Sequence, residues 1–272
     1  MAAKRNLVLG GSGLVGKGLC KHLESLGEEV INIDIKNGSE FDLRTMDLAP
    51  YINVDYVWFL AWDVGGAKYL TQSKNLLNIL KNNTLLCERV FGFLEETGLP
   101  FLFATTQLAD PNNTYGVTKL LGEEWTRLLG GKTARFWNVY GWEEPGERSH
   151  VIPDLVIQAL TQKHISLMTT GEEERQFIYM EDCAANLVRI RDSNETDVDL
   201  TNGSWVKIKD LAGIIADKLG AKLTLGEVKG YNKKLDPTKT PSFLKSEIGL
   251  DEGLGKIIAQ AIEYSKHHST KE

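Results

Sequence analysis

Tyr115 and Lys119 stand four residues apart in Tyr-Gly-Val-Thr-Lys, so on a helix their side chains share one face, a turn from each other. A phenol, with an ordinary pKa near ~10, is a poor base at neutral pH. An ammonium beside it stabilises the phenolate and lowers that value toward the working range. The pair can therefore move a proton on and off a hydroxyl group. The same spacing also occurs as an unremarkable exposed helix pair, so its meaning depends on what surrounds it. Upstream, Phe103-Ala-Thr105-Thr106-Gln107 ends an apolar run, and from there either threonine hydroxyl can reach a substrate oxygen. Threonines at strand ends are equally ordinary turn residues.

A second group with chemical potential lies near the N-terminus. Gly10-Gly-Ser-Gly13-Leu14-Val15-Gly16 falls where an apolar strand gives way to a helical pattern, the context a dinucleotide-binding loop needs. Glycine permits the tight turn and lets a pyrophosphate approach the amides at the helix N-terminus, whose dipole favours an anion. Asp34 follows at about the offset expected for a group that binds the adenosine ribose. Its carboxylate would accept from both ribose hydroxyls and repel a 2'-phosphate, which favours NAD over NADP. Its simpler alternative is a strand-end turn residue. With a nicotinamide in place, Tyr115 can take a proton from a sugar hydroxyl while hydride leaves the same carbon.

The elements that must position these groups alternate between strand and helix. Asn6–Gly10, Glu29–Asp34, Asp55–Leu60, Pro100–Ala104 and Thr133–Phe136 read as strands. Helical spacing occupies Leu14–Leu26, a stretch from about 70 to 97, and Tyr115–Leu129. This pattern predicts an α/β protein with a Rossmann-type, doubly wound parallel sheet. Residues 1–141 are expected to bind NAD. Residues 142–272 are expected to form mainly a small interleaved C-terminal substrate-binding lobe, with parts of 142–210 completing the sheet. Further helices are expected over 210–219 and 254–264, followed by a frayed polar tail from Ser265 to Glu272.

Composition narrows the functional classes. With 272 residues and 42% hydrophobic content, the chain can bury a large core. A net charge of −6 with dispersed Lys and Arg excludes a nucleic-acid footprint. Three scattered cysteines, Cys20, Cys87 and Cys183, show no metal-ligand spacing and fit a reducing cytoplasm. No signal peptide and no membrane span are expected from the apolar runs.

Taken together, these residues resemble the extended short-chain dehydrogenase/reductase superfamily, the NAD-dependent epimerases and dehydratases that modify nucleotide sugars. Further matching pieces are Phe41-Asp42-Leu43, Leu60-Ala61-Trp62 with Gly65-Gly66, Arg135-Phe-Trp-Asn138-Val139-Tyr-Gly141, Val151-Ile-Pro, Arg175-Gln-Phe-Ile-Tyr-Met-Glu-Asp and Asp236-Pro. The resemblance implies that Thr105 or Thr106 bonds the reacting hydroxyl, that Tyr115 is the acid/base, and that Lys119 holds the nicotinamide ribose. It places Gly10, Gly13, Leu14, Val15, Gly16, Asp34, Ile35, Asp42, Leu43, Leu60, Ala61 and Trp62 on the cofactor, and Asn138 and Val139 between nicotinamide and substrate. Gly65, Gly66, Gln107, His150, Val151, Arg175 and Asp236 would border a nucleotide-diphosphate sugar, with Arg175 facing the diphosphate. Arg175 can equally be a surface charge balancing Glu172 to Glu174, and His150 a satisfied loop histidine.

Within the superfamily the nearest likeness is to GDP-fucose synthase and related 3,5-epimerases, through Gly65-Gly66 and Ser149-His150-Val-Ile-Pro. This favours a GDP-sugar. Those enzymes epimerise with a cysteine and a histidine. Here His150 is present, but Gln107 occupies the cysteine position, and an amide cannot remove a carbon-bound proton at neutral pH. Two catalytic readings remain: oxidation or reduction at hexose carbon 4, or an epimerisation that keeps its NAD bound. A dinucleotide-binding sensor is the non-catalytic alternative, and it has no use for a tuned phenol. The resemblance also implies a homodimer paired through two helices, one of them carrying Tyr115 and Lys119.

Overall fold

A computed structural model describes residues 3–230 and 235–268. In chain order the elements are β1 (Arg5–Leu9), α1 (Leu14–Ser25), β2 (Glu29–Ile33), β3 (Tyr56–Phe59), α2 (Ala67–Thr71), α3 (Ser73–Thr97), β4 (Phe101–Thr106), α4 (Thr114–Leu128), β5 (Lys132–Phe136) and β6 (Asn138–Tyr140). They continue with α5 (Val151–Gln162), β7 (His164–Ser166), β8 (Glu174–Tyr179), α6 (Met180–Asp192), β9 (Asp197–Leu200), β10 (Trp205–Lys207), α7 (Ile208–Leu219), β11 (Lys222–Thr224) and α8 (Leu250–His268).

Six strands form one sheet in the order β2-β1-β3-β4-β5-β9, and every neighbouring pair is parallel. The order reverses between β1 and β3, which leaves a crevice at their carboxyl ends. Period-two alternation shows why helices cover both faces. Leu7, Leu9, Val57, Phe59 and Phe103 pack with Val90, Phe91 and Leu94 of α3. Their chain neighbours Val8, Trp58, Leu102 and Ala134 pack with Leu19 and Leu23 of α1 and Leu187 of α6. The doubly wound α/β reading of the sequence therefore holds.

After β5 the chain leaves this sheet. It lays down β6, β7 and β8, returns once to supply β9, and then adds β10 and β11, which complete the three-stranded sheet β10-β8-β6 and the pair β11-β7. A separate apolar core joins α5, α7 and α8 to these strands through Leu155, Val156, Leu211, Ile215, Leu254 and Ile257.

Three boundaries differ from the sequence reading. The stretch from about 70 to 97 is broken at Gln72 into α2 and α3. β4 runs two residues further than expected and takes in both threonines. The helix expected over 254–264 spans Leu250–His268, so Ser265 is helical rather than frayed, and its hydroxyl donates to the Ala261 carbonyl at 2.9 Å. The last residues of the expected tail, 269–272, lie outside the described residues.

The placement of α4 on the sheet depends on an absent side chain. A Cβ on Gly122 would lie 2.4 Å from the fully buried ring of Phe103. Replacing Gly122 with Ala gains about 1 kcal/mol of helix propensity, but overpacking a closed core costs about 1–3 kcal/mol. Gly122→Ala is therefore expected to lower the urea midpoint, and a raised midpoint would mean that α4 does not sit this closely on β4.

Candidate active site

The glycine loop turns where β1 ends. Gly10 adopts φ +95°, and a Cβ there would meet the Ala61 amide at 2.6 Å. A Cβ on Gly16 would approach the Gly10 carbonyl to 2.1 Å, so only glycine lets α1 begin so close to the strand. Gly13 is the N-cap of α1, contributes no side-chain cap, and has only the Gly10 carbonyl near its Cβ position, at 3.4 Å. No acidic residue occupies the first turn, which starts at Leu14 and Val15. An open helix N-terminus of this kind suits a pyrophosphate. The loop as built is therefore compatible with a dinucleotide.

Asp34 is buried at the end of β2. Its Oδ2 accepts from the Ser12 amide at 3.0 Å and its Oδ1 from the Lys36 amide at 2.9 Å. The side chain is thus anchored to the glycine loop as well as to its own turn. Ser12, Asn32 and Asn37 complete the rim through Ser12 Oγ to Asn37 Oδ1 at 2.8 Å and Asn32 Nδ2 to Ser12 Oγ at 3.2 Å. These three polar residues escaped the sequence reading, which looked only for the acidic member. Ile35 lies half exposed beside them, while Leu43 is buried. Arg44 forks onto both oxygens of Asp42 at 2.9 and 2.7 Å and holds that carboxyl below its usual range. Leu60 and Ala61 both donate their amides to the Leu9 carbonyl, at 2.9 and 2.8 Å.

Tyr115 and Lys119 occupy one face of α4, as their spacing requires, and their side chains take different hydrogen-bond partners. The Lys119 amine donates to the Ala104 carbonyl at 2.6 Å and lies 4.1 Å from the Trp62 ring centroid and 4.7 Å from that of Phe103. Burial lowers its pKa to about 7, although Cys87 and Glu123 pull the other way. The Tyr115 phenol is raised by burial and partly restored by a hydrogen bond with Thr106. In this arrangement the hydrogen-bond partner of the phenol is a hydroxyl, and the amine is tethered to the sheet. A helical turn separates the two residues along α4, and the lysine side chain uses that rise to run inward.

The same geometry separates the two threonines. Thr105 lies on the strand face shared with Phe103, and its hydroxyl donates to Glu123 at 2.6 Å. Thr106, the last residue of β4, meets Tyr115. The structure thus brings Thr106, not Thr105, to the phenol. Asn113 caps α4 through its side chain, which accepts from the Gly116 amide at 2.6 Å. The cap fixes Tyr115 within the first turn.

A cleft of about 340 Å³ opens beside Gln107 and is lined by Asp110, Asn112, Arg175, Trp205 and Leu235 among others. Gln107 Nε2 donates to Asn138 Oδ1 at 3.3 Å, which ties the end of β4 to the start of β6. Arg175 points one guanidinium nitrogen at the Glu174 carbonyl, 2.7 Å away. Val139 lies half-buried in β6, paired with Ile178 of β8. Asp236 is exposed and follows Leu235 of the cleft wall. The remaining expected residues gather separately: Gly65 and Gly66 pack against Arg148 and Ser149. His150, the N-cap of α5, pairs its Nδ1 with Glu143 Oε1 at 2.6 Å, and Val151 begins that helix. The cleft residues Trp205 and Asn112 carry no local sequence signal, whereas Asn113 carries the ordinary N-cap one.

Among the described residues no helix is long and apolar enough to cross a membrane. Two curated relatives align with most of the chain. One is a probable GDP-L-fucose synthase 1 of Oryza sativa subsp. japonica, 27% identical over 91% of this chain and 88% of its own length. The other is a UDP-glucuronic acid decarboxylase 1 of Xenopus tropicalis, 26% identical over 94% and 71%. Among solved structures, an NAD dependent-NDP-hexosamine 5,6-dehydratase superposes with a TM-score of 0.82 at 20% identity, covering 96% of this chain and 98% of that one. A UDP-glucuronic acid 4-epimerase from Bacillus cereus, in complex with UDP-glucuronic acid and NAD, superposes at 0.79 and 19% identity, covering 96% and 99%. These structures share the fold. The family model described as NAD dependent epimerase/dehydratase matches residues 6–201, from the first strand of the large sheet to just past its last, and the chain belongs to that family.

Proposed function

We propose that the protein is an NAD-dependent oxidoreductase that transfers hydride at carbon 4 of a nucleotide-activated hexose, with residues 1–141 holding NAD and 142–272 mainly holding the sugar nucleotide. The observation that carries this reading is the buried Tyr115 phenol bonded to Thr106, where β4 ends beside the cleft holding Gln107 and Arg175. Gly13, Leu14 and Val15 would hold the pyrophosphate of NAD and Asp34 its adenosine ribose. Bound there, NAD supplies the hydride chemistry. Thr106 orients the reacting oxygen by hydrogen bonding. Because burial keeps Tyr115 protonated at neutral pH, the phenol as arranged is a proton donor, the form needed to reduce a 4-keto sugar. Arg175 would take the diphosphate with its guanidinium fork. A GDP-sugar is favoured by Gly65-Gly66 and by the Ser149-His150 string, and the buried, unbridged thiols of Cys87 and Cys183 suit the cytoplasm.

One contact favours a second reading, a 3,5- or 4-epimerase with retained NAD. Glu143 holds His150 by Nδ1, which leaves Nε2 to accept a proton. Against it stands the Gln107 amide, which has no basicity to offer as the second base.

The partner we propose is a second copy of this chain. Val117, Leu121 and Leu128 form a line on α4 and are 40%, 38% and 65% exposed, beside Leu77 of α3 at 59%. Pairing these stripes would bury them in a four-helix interface.

Four measurements test these readings. Incubated with NAD or NADH and a panel of GDP-, UDP-, dTDP- and CDP-sugars or their 4-keto forms, the enzyme should show net change in NADH absorbance. Tyr115→Phe should lower kcat by about 10²- to 10⁴-fold with NAD affinity nearly intact; sugar inversion without net NADH change would favour the epimerase. Leu121→Glu should shift sedimentation from dimer to monomer, and a monomeric parent would remove the dimer proposal. Lys119 titrates near 7 in the folded chain against an ordinary 10.5, so between these values the unfolded chain binds the extra proton and folding stability rises with pH. The stability of the parent relative to Lys119→Met should therefore climb from pH 7 to 10 with a slope approaching about 1.4 kcal/mol per unit, whereas a flat difference would mean that the amine is not desolvated.

A further inference from the structure

Several polar side chains used by neither the glycine loop nor the Tyr115 pair converge on Asp63. This carboxylate, 6% exposed, follows Trp62 in the turn after β3. Its Oδ1 accepts from Arg148 Nη1 at 2.7 Å and from the Tyr69 hydroxyl at 2.8 Å, and its Oδ2 accepts from Asn82 at 2.7 Å. Its own amide donates to Asn83 at 2.7 Å, and Asn83 returns a bond to its carbonyl at 3.1 Å. Arg148 is held a second time, by Nη2 to the Tyr69 hydroxyl at 2.8 Å, with its guanidinium carbon 4.3 Å from the Tyr69 ring centroid. Burial first, and then the bond to Asp63, push the Tyr69 phenol up to about 12.

Arg148 belongs to the irregular segment between β6 and α5. This segment docks on the turn through the Gly66 amide, which donates to the Arg148 carbonyl at 2.9 Å. The fit is close, since a Cβ on Gly66 would fall 2.3 Å from the Ser149 carbonyl oxygen. His150 follows two residues after Arg148. The ion pair therefore joins residues 85 positions apart, one continuing the wall that carries Trp62, the other leading directly to His150.

We propose that Asp63, acting through Arg148, is a positioning residue for the substrate side of the site. It fixes residues 146–150, and His150 with them, against the Gly65-Gly66 turn. The proposal rests on the reading above that these glycines and His150 border the substrate. The physical basis is an asymmetry. The Asp63 carboxylate is buried with its donors in place, and among the described residues Arg148 is the one cation in direct contact with it, so releasing Arg148 leaves the charge to Tyr69, Asn82 and the Arg44 that stands behind Asn82. Arg148 itself is 56% exposed and would otherwise wander with its loop. The tether thus holds a segment whose own backbone bonds are few.

The test uses full-length Arg148→Gln and Tyr69→Phe proteins. Arg148 lies on the surface, so its replacement leaves the core intact. Amide hydrogen exchange in a peptide spanning residues 143–152 should accelerate about tenfold in Arg148→Gln and by a smaller factor in Tyr69→Phe, while peptides covering β1 and β4 keep the parent rates. With whichever nucleotide sugar the panel identifies, Arg148→Gln should raise KM by about tenfold while kcat moves less than about threefold and NAD affinity holds. Unchanged exchange over 143–152, equal acceleration in every peptide, or a fall in kcat at constant KM would each overturn the positioning role. If no nucleotide sugar is turned over by the parent, the oxidoreductase reading falls while the exchange result alone decides whether Asp63 holds this segment.

Discussion

The Lys119 amine ties α4 to the sheet, and the position of every group near Tyr115 follows from that tie. Its bond to the Ala104 carbonyl fixes the height of the helix along β4, and the rings of Trp62 and Phe103 close around it. Desolvation on this scale is tolerable for an amine because it can give up its proton, which a guanidinium cannot do. The cost of burial is thereby converted into rigidity. Tyr115, one turn earlier, inherits that rigidity together with the Asn113 cap, and the Phe103 ring fits only because residue 122 has no side chain.

How much of this was visible beforehand depends on whether the signal was local. The glycine loop, Asp34 and the Tyr115/Lys119 spacing are short-range patterns whose backbone requirements can be written down from residue type alone, and the sheet with helices on both faces follows from the strand-helix alternation. The direction taken by the Lys119 side chain is not such a pattern. It depends on a carbonyl 15 residues upstream and on the two aromatic faces of Trp62 and Phe103. The choice between Thr105 and Thr106 was open for a related reason: it turns on where β4 ends, and strand ends are the least legible feature of a sequence. The Asp63 cluster was invisible altogether, because its two charged members are separated by the whole of α2, α3, β4, α4, β5 and β6.

Charge is distributed so that each half of the site has its own logic. Around the glycine loop, backbone amides and the uncapped start of α1 offer positive potential, with the carboxylate of Asp34 anchored among them by the Ser12 and Lys36 amides. Around the cleft, the amides of Gln107, Asn112 and Asn113 stand with two carboxylates, Asp110 and Glu174, and, among the described residues, one cation, Arg175. The Tyr115 region between them is apolar, bounded by Trp62, Val64, Tyr69 and Ile79, and this dryness shifts the phenol and the amine in opposite directions. A reaction that moves one proton and one hydride benefits from such a zone, since water there would compete for both.

The route of the chain through its two sheets also has a consequence for synthesis. β5 ends at Phe136, but its neighbour β9 begins only at Asp197, after the chain has passed through β6, α5, β7, β8 and α6. A nascent chain released from the ribosome tunnel up to Gly141 would expose β5 as a bare edge, with its amides and carbonyls open to pairing with other chains. The large sheet can close only when some sixty further residues have emerged. The two parts of the chain are therefore obliged to mature together, and a fragment cut at Gly141 would be prone to self-association.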